Sequence, residues 1–145
     1  MIKDILNNIS LLCDSFPDQL RTITADQFCT KPLNKWSKKE ILGHLVDSAN
    51  VNIQRFIRGQ IEDNPSIYYE QDEWVSVQGY QEYDDEKLIT LWESLNRHLA
   101  YLVNRIPDTD LSRTCLMKNG EPRSLQYLVE DYLSHLQHHI RQITA

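Results

Sequence analysis

Glycine is scarce in this chain, four residues in 145, and nowhere do the four cluster into the glycine-rich loop that cradles phosphate groups. Long apolar runs are absent too. No stretch approaches the roughly 20 residues that a helix needs to cross a bilayer. The N-terminus, Met1-Ile2-Lys3-Asp4-Ile5-Leu6-Asn7-Asn8, lacks the apolar block of a signal peptide. The three cysteines, Cys13, Cys29 and Cys115, are scattered and odd in number and form no Cys-x-x-Cys pair. They read as reduced, mostly packed thiols, not as a disulfide framework or a zinc knuckle, and point to the cytoplasm. Basic excess is missing as well. Fifteen Lys and Arg against twenty-one Asp and Glu give a net charge of −6, opposite to what duplex binding by counterion release requires. Nucleic acid and membrane are therefore not expected partners.

What is present suits an ordinary soluble globular protein, with 41% hydrophobic and 25% charged residues. The expectation is a single domain over residues 1–145, burying roughly two-thirds of its unfolded surface. Apolar residues recur at helical spacing. Ile2, Ile5, Leu6, Ile9, Leu12 and Phe16 share a face, and Pro17 predicts a kink or restart near Ser15. Residues 24–36 read as a turn and linker. Ser37-Lys38-Lys39-Glu40 is a capping box that opens a second helix reaching about Gly59. Residues 60–83, aromatic and aperiodic, read as a long loop, the kind that a compact fold keeps to cover a site. A third helix starts near Asp84 or Asp85, follows Leu88, Trp92, Leu95, Leu99, Leu102 and Ile106, and stops at Pro107. Asn119-Gly120 fits a small hairpin. Ser124 caps a fourth helix with the stripe Leu125, Leu128, Val129, Tyr132, Leu136, Ile140 and Ile143. Four long helices with little strand predict an all-α four-helix bundle.

Histidine carries the chemical signal. Of five, three fall in His135-Leu136-Gln137-His138-His139. His135 and His139 project from one helix face one turn apart, with Cβ atoms about 5–6 Å apart, close enough to share a metal ion. At about 100° per residue His139 lies within the apolar stripe, His135 at its edge, and His138 on the polar side. His98 stands alone at the edge of its helix and reads as surface or packing. A third candidate ligand is His44, which points away from the core stripe of its helix, Ile41, Leu42, Leu45, Ala49, Ile53 and Phe56. It heads a polar row with Asp47, Ser48, Arg55 and Arg58, broken by Val51 and shouldered by Asn52. One reading of that row is a plain wet helix face. The other is a groove lined by the row, with Val51 as apolar lining, facing His135 and His139 and open to substrate as a three-ligand catalytic metal site must be. No Ser-His-Asp or Cys-His arrangement competes with it.

Several blocks together resemble the DinB-like family, which includes the YfiT-type proteins. They are Lys35-Trp36-Ser37-x-x-Glu40-Ile41-Leu42-Gly43-His44-Leu45-x-Asp47-Ser48, then Asn52-x-x-Arg55-Phe56, then Asn119-Gly120, and last His135-x-x-His138-His139-x-x-Gln142-Ile143. Their order and spacing match the family over nearly the whole chain. The resemblance implies an up-down-down-up bundle with a long crossover between its second and third long helices, often assembled as a homodimer. It implies a divalent metal held by His44, His135 and His139. It also implies small-molecule chemistry, with low-molecular-weight thiols used by characterised S-transferases and isomerases.

Three imidazoles suit zinc, nickel or iron, and ligand type does not choose among them. A metal there activates a bound thiol or water, so S-transfer and hydrolysis are both open. A non-catalytic stress or binding module, with the metal tying two helices together, is the other class. Asp47, one turn from His44, reads as an acceptor that orients a histidine, as a proton acceptor, or as a solvated carboxylate. Asn52 and Arg55 read as contacts for an anionic substrate group. Otherwise Arg55 pairs with a surface acid and Asn52 bonds neighbouring backbone.

Overall fold

A computed structural model describes all residues, Met1–Ala145. Six helices occur in chain order: α1 (Ile2–Arg21), α2 (Ala25–Cys29), α3 (Lys38–Ile61), α4 (Gln71–Gln78), α5 (Asp85–Asn104) and α6 (Leu125–Thr144). A hairpin of β1 (Thr114–Leu116) and β2 (Pro122–Ser124) precedes α6.

The long helices α1, α3, α5 and α6 form the four-helix bundle, with α1 and α3 each packed against both α5 and α6. Cross-helix contacts set the directions. Asp14 pairs with Arg97 and Arg21 with Glu86, so α1 and α5 are antiparallel. Lys39 meets Asp85, which puts the starts of α3 and α5 side by side. His44 meets His135 while Gly59 lies against Leu125, so α3 and α6 are antiparallel. The result is up-down-down-up, as the family resemblance implied. The parallel pair α3/α5 is what requires a long crossover.

Side-chain caps start three of the long or short helices where the sequence places them. Ser37 Oγ accepts from the Glu40 amide at 3.0 Å and Glu40 Oε1 accepts from the Ser37 amide at 3.1 Å. Asp84 and Ser124 accept from the Lys87 and Tyr127 amides in the same way. The hairpin turns at Gly120, whose φ of +82° is a left-handed conformation that glycine adopts without strain. Arg113 joins this hairpin to the end of α3 by donating to the carbonyls of Gly59 and Glu62.

Three expectations require correction. Pro17 does not break the first helix: α1 runs through it to Arg21. Ile9, Cys13, Phe16 and Leu20 are buried on both sides of the proline, and the Phe16 ring meets Trp92 edge-on at 5.0 Å. Core packing there outweighs a local cost of about 3 kcal/mol. Residues 24–36 are not only linker, because Thr24 and Gln27 form a second capping box that starts α2. Nor is 60–83 only loop, since it contains α4 and a 3-10 turn at Tyr80–Glu82.

One cluster of 28 buried residues fills the bundle. Its polar exception spans the diagonal between α5 and α6, where the buried Tyr132 hydroxyl donates to Asn96 Oδ1.

Candidate metal centre

From His44 to Asn52 the polar row on α3 is buried, not wet, while Arg55 and Arg58 at its far end are half-buried. His44, Asp47, Ser48, Val51 and Asn52 are all under 9% exposed. The residues covering it come from the crossover. The Tyr80 ring sits on Gly43, Tyr69 stacks near His44 with centroids 6.3 Å apart, and the segment around Ile67 is held by Arg55. A single-helix projection cannot register this cover, because α3 is packed on the core side and on the crossover side at once.

Three histidines converge under that cover. His44 is on α3, and His135 and His139 lie one turn apart on α6. Ring centroids are 5.1 Å apart for His44 and His135, 4.9 Å for His44 and His139, and 4.5 Å for His135 and His139. One ring nitrogen from each lies within 4.8 Å of the others. His44 is fully buried and the α6 pair partly so. His138 is exposed on the outer face of α6, and His98 is exposed on α5, outside the group.

The electrostatics keep these rings neutral. Burial, then the neighbouring His135 and His139, pushes His44 down to about 3. Burial followed by His139 and His138 pushes His135 down to about 4. His139 is lowered chiefly by burial, against an opposing hydrogen bond to Gln142. That bond, 2.7 Å from His139 Nδ1 to Gln142 Oε1, favours the tautomer with the proton on Nδ1 and leaves the Nε2 lone pair free.

The donor set fits a divalent ion. His44 Nε2 and His135 Nε2 are 3.2 Å apart. Two nitrogens bound tetrahedrally at about 2.0–2.1 Å would be separated by about 3.3–3.4 Å. Three neutral imidazoles that resist protonation present lone pairs to one point, which is the donor chemistry that zinc, nickel or iron takes.

Around the ligand set, Trp36 packs on the His44 ring with centroids 5.0 Å apart, and burial pushes the Tyr69 hydroxyl up to about 12, so it stays protonated. His44 Nδ1 is buried without a partner. Asp47 does not supply one. Its Oδ1 accepts from the Tyr80 hydroxyl at 2.6 Å and from Gln78 Nε2 at 2.7 Å, and Oδ2 is buried with no hydrogen-bond partner. At 1% exposure Asp47 is sealed from solvent, so it is neither a solvated carboxylate nor a direct hydrogen-bond acceptor for a ligating histidine. Burial raises its pKa, against the Tyr80 and Gln78 hydrogen bonds.

Asn52 and Arg55 are engaged with backbone. Asn52 Nδ2 donates to the Ser48 carbonyl at 2.8 Å. Arg55 forms no ion pair with a surface acid; its Nε and Nη2 donate to the Ile67 carbonyl at 3.1 and 2.7 Å, and Nη1 reaches Asn52 Oδ1 at 3.4 Å. They clamp the crossover onto α3. Sequence reasoning gave no role to Trp36, Tyr69, Tyr80 or Gln142. Only Gln142 had a usable signal, three residues after His139 on one helix face.

A cavity of about 1030 Å³ adjoins the cluster, with His139, Gln142 and Trp36 in its wall. No helix is long and apolar enough to cross a membrane.

A model of the DinB superfamily matches residues 13–143. Among curated proteins, the chain is similar to a "Putative metal-dependent hydrolase" of Halalkalibacterium halodurans, 29% identical over 111 residues, covering 76% of this chain and 64% of that protein. A protein of the same description from Oceanobacillus iheyensis is 27% identical over 114 residues, with the same coverage of each. The chain thus spans about 64% of the length of these relatives. In fold it is similar to YfiT from Bacillus subtilis, described as "a probable metal-dependent hydrolase with an unusual four-helix bundle topology", with a TM-score of 0.82 at 22% identity over 96% of this chain and 83% of that one. It is likewise similar to a mycothiol-dependent maleylpyruvate isomerase, with a TM-score of 0.81 at 15% identity over 100% of this chain and 61% of the other.

Proposed function

The chain belongs to the DinB superfamily, and from that membership and its three converging imidazoles we propose that it is a metal-dependent enzyme that transfers a low-molecular-weight thiol to a small electrophile. The observation that carries this reading is the His44, His135 and His139 cluster, whose donor nitrogens lie within 4.8 Å of one another beside an open cavity. His44, His135 and His139 would hold the ion, and the adjoining cavity would give a reactant access to it. A divalent ion held by these residues would supply Lewis-acid chemistry that makes a thiol or water acidic near neutral pH.

The chain's own residues do the rest. Gln142 fixes the His139 tautomer. Trp36 and Tyr69 pack against His44 and keep water from its ring, which strengthens the electrostatics of the site. Tyr80, anchored on Asp47, seals the far side of α3. In the reaction the thiol gives its proton to solvent in the adjoining cavity, its sulfur bonds to an electrophilic carbon, and the leaving group departs with the bonding pair. Similarity to a mycothiol-dependent isomerase supports thiol as the nucleophile. The hydrolase names of the relatives favour a second reading, with water in the thiol's place. A homodimer belongs to the same proposal, and sedimentation of the purified protein tests it.

Elemental analysis of purified protein, then assays with cysteine and glutathione on 1-chloro-2,4-dinitrobenzene and of water on 4-nitrophenyl acetate, test both readings. One divalent ion per chain, its loss in His139→Ala and thiol conjugation lost on chelation are expected. Full metal retention in a triple His44→Ala, His135→Ala, His139→Ala variant would sink the site. Metal that raises the unfolding temperature, without activity on either substrate, would indicate a non-catalytic module.

A further inference from the structure

The cavity beside His139 is polar almost throughout. Only two of its thirteen lining residues are hydrophobic, whereas ligand cavities are lined mainly by apolar side chains. Its charges offset one another. Lys31 pairs with Glu40 at 2.9 Å, Lys38 Nζ meets the oxygen of the terminal residue Ala145 at 3.0 Å, and Lys35 shares the wall with Asp72. Gln27, Thr30, Asn34 and Gln71 add uncharged hydrogen-bonding groups. Such a wall selects a ligand by hydrogen bonds, not by net charge.

The apolar surface is concentrated in one place. Trp36 and Ile41 line the cavity, and both are partly buried against the core. No other tryptophan, tyrosine or phenylalanine is in the wall. The Trp36 ring lies against His44, with centroids 5.0 Å apart and 37° between the planes. Ile41 precedes His44 by three residues on α3, which puts the two on one face of the helix. His139 is in the same wall. The apolar spot therefore borders the three histidines. Apolar surface leaves water wherever it meets apolar surface, so a molecule bound here turns its apolar end to the histidines and its polar end to the amide and hydroxyl groups. An indole adds a preference of shape, because flat π systems stack on it.

We infer that Trp36 is a specificity-determining residue, which selects a flat, conjugated carbon group for the position beside the histidines. The inference rests on the enzymatic reading above. It narrows the electrophile to one whose reacting carbon belongs to a flat conjugated system, with hydrogen-bonding groups at the other end.

Benzamide and cyclohexanecarboxamide test it, because both carry one carboxamide on a six-membered carbon ring and they differ in flatness. Neither reacts with a thiol, so binding to the metal-loaded protein is read without turnover. Titration followed in proton–nitrogen correlation spectra gives both affinities. The indole signal that disappears in Trp36→Phe identifies Trp36 among the three tryptophans. Benzamide binds roughly two- to tenfold more tightly than the saturated amide and shifts the Trp36 signal. Trp36→Phe keeps that preference, and Trp36→Leu abolishes it with metal content unchanged. Equal affinities in the parent protein, an unmoved Trp36 signal, a preference undiminished in Trp36→Leu, or no binding of either amide overturns the inference. Should Trp36→Leu lose its metal or fail to fold, the parent spectra and Trp36→Phe decide between the same outcomes. A preference for benzamide without thiol conjugation in the assays above counts against the enzymatic reading alone, and conjugation without the preference counts against this inference alone.

Discussion

Gly43→Ala separates tertiary packing from local preference, because the two predict opposite signs. In an exposed helix interior, replacing glycine by alanine stabilises by about 0.8–1.0 kcal/mol. At position 43 the new Cβ would lie 2.2 Å from Tyr80 Cδ2, 2.3 Å from Cγ and 2.6 Å from Cε2, where ordinary carbon contacts are about 3.5–4.0 Å. The clash is with the body of the ring, so a rotation about its far end relieves nothing. Tyr80 is 2% exposed, and its hydroxyl is tied to Asp47 and Gln78 at 2.6 and 2.8 Å. Overpacking costs about 1–3 kcal/mol, and losing a hydrogen bond to a buried carboxylate costs about 1.5–3 kcal/mol. After the propensity gain the variant should be destabilised by about 2–4 kcal/mol, or about 5–15 °C in unfolding temperature for a chain of this size. Urea and thermal unfolding at pH 7 measure it, and in a Tyr80→Ala background the substitution at Gly43 should instead stabilise, by up to about 1 kcal/mol. Stability equal to or above that of the parent would refute the packing argument outright. Because Gly43 precedes His44, metal content should be measured on the same preparations.

Other outcomes follow from the site. Metal-free protein should weaken as pH falls: His44 and His135 titrate near 3 and 4 when folded, against about 6.5 unfolded, so the unfolded chain takes up protons first. Stability is full above about pH 6.5, and at pH 5 each ring costs roughly 2 kcal/mol. A urea midpoint independent of pH between 7 and 5, or the same loss in His135→Gln, would contradict this. Gln142→Ala should weaken metal binding about 10–100-fold by freeing the His139 tautomer, while His138→Ala should leave it unchanged; competition with a fluorescent chelator reads both. Tyr132→Phe should cost about 1–3 kcal/mol by leaving buried Asn96 Oδ1 unpaired, and unchanged unfolding would show that the diagonal hydrogen bond contributes nothing.

Local patterns determined much of this protein from sequence alone. Stripes at helical spacing located the four long helices, and Ser37, Asp84 and Ser124 marked where three of them begin, because a cap acts within one turn of chain. The capping box at Thr24 and Gln27 is equally local, but Pro32 disfavours a regular helix through the same stretch, and α2 ends at Cys29 before reaching it. The spacing of His135 and His139 likewise fixed them as a pair on one face of α6. Three things lay outside any local pattern. Whether Pro17 breaks α1 depends on burial of the faces on both sides of it. Whether the His44 row is wet depends on Tyr69, Tyr80 and the Ile67 segment, twenty or more residues further along the chain. Whether Asp47 contacts a histidine or Tyr80 depends on which side of α3 the crossover covers. Helix formation and capping are decided by neighbours a few residues apart, so sequence carries them. Burial, pKa and metal geometry are decided by which faces meet, and here the packing of α6 against α3, with the crossover folded back over α3, brings those faces together.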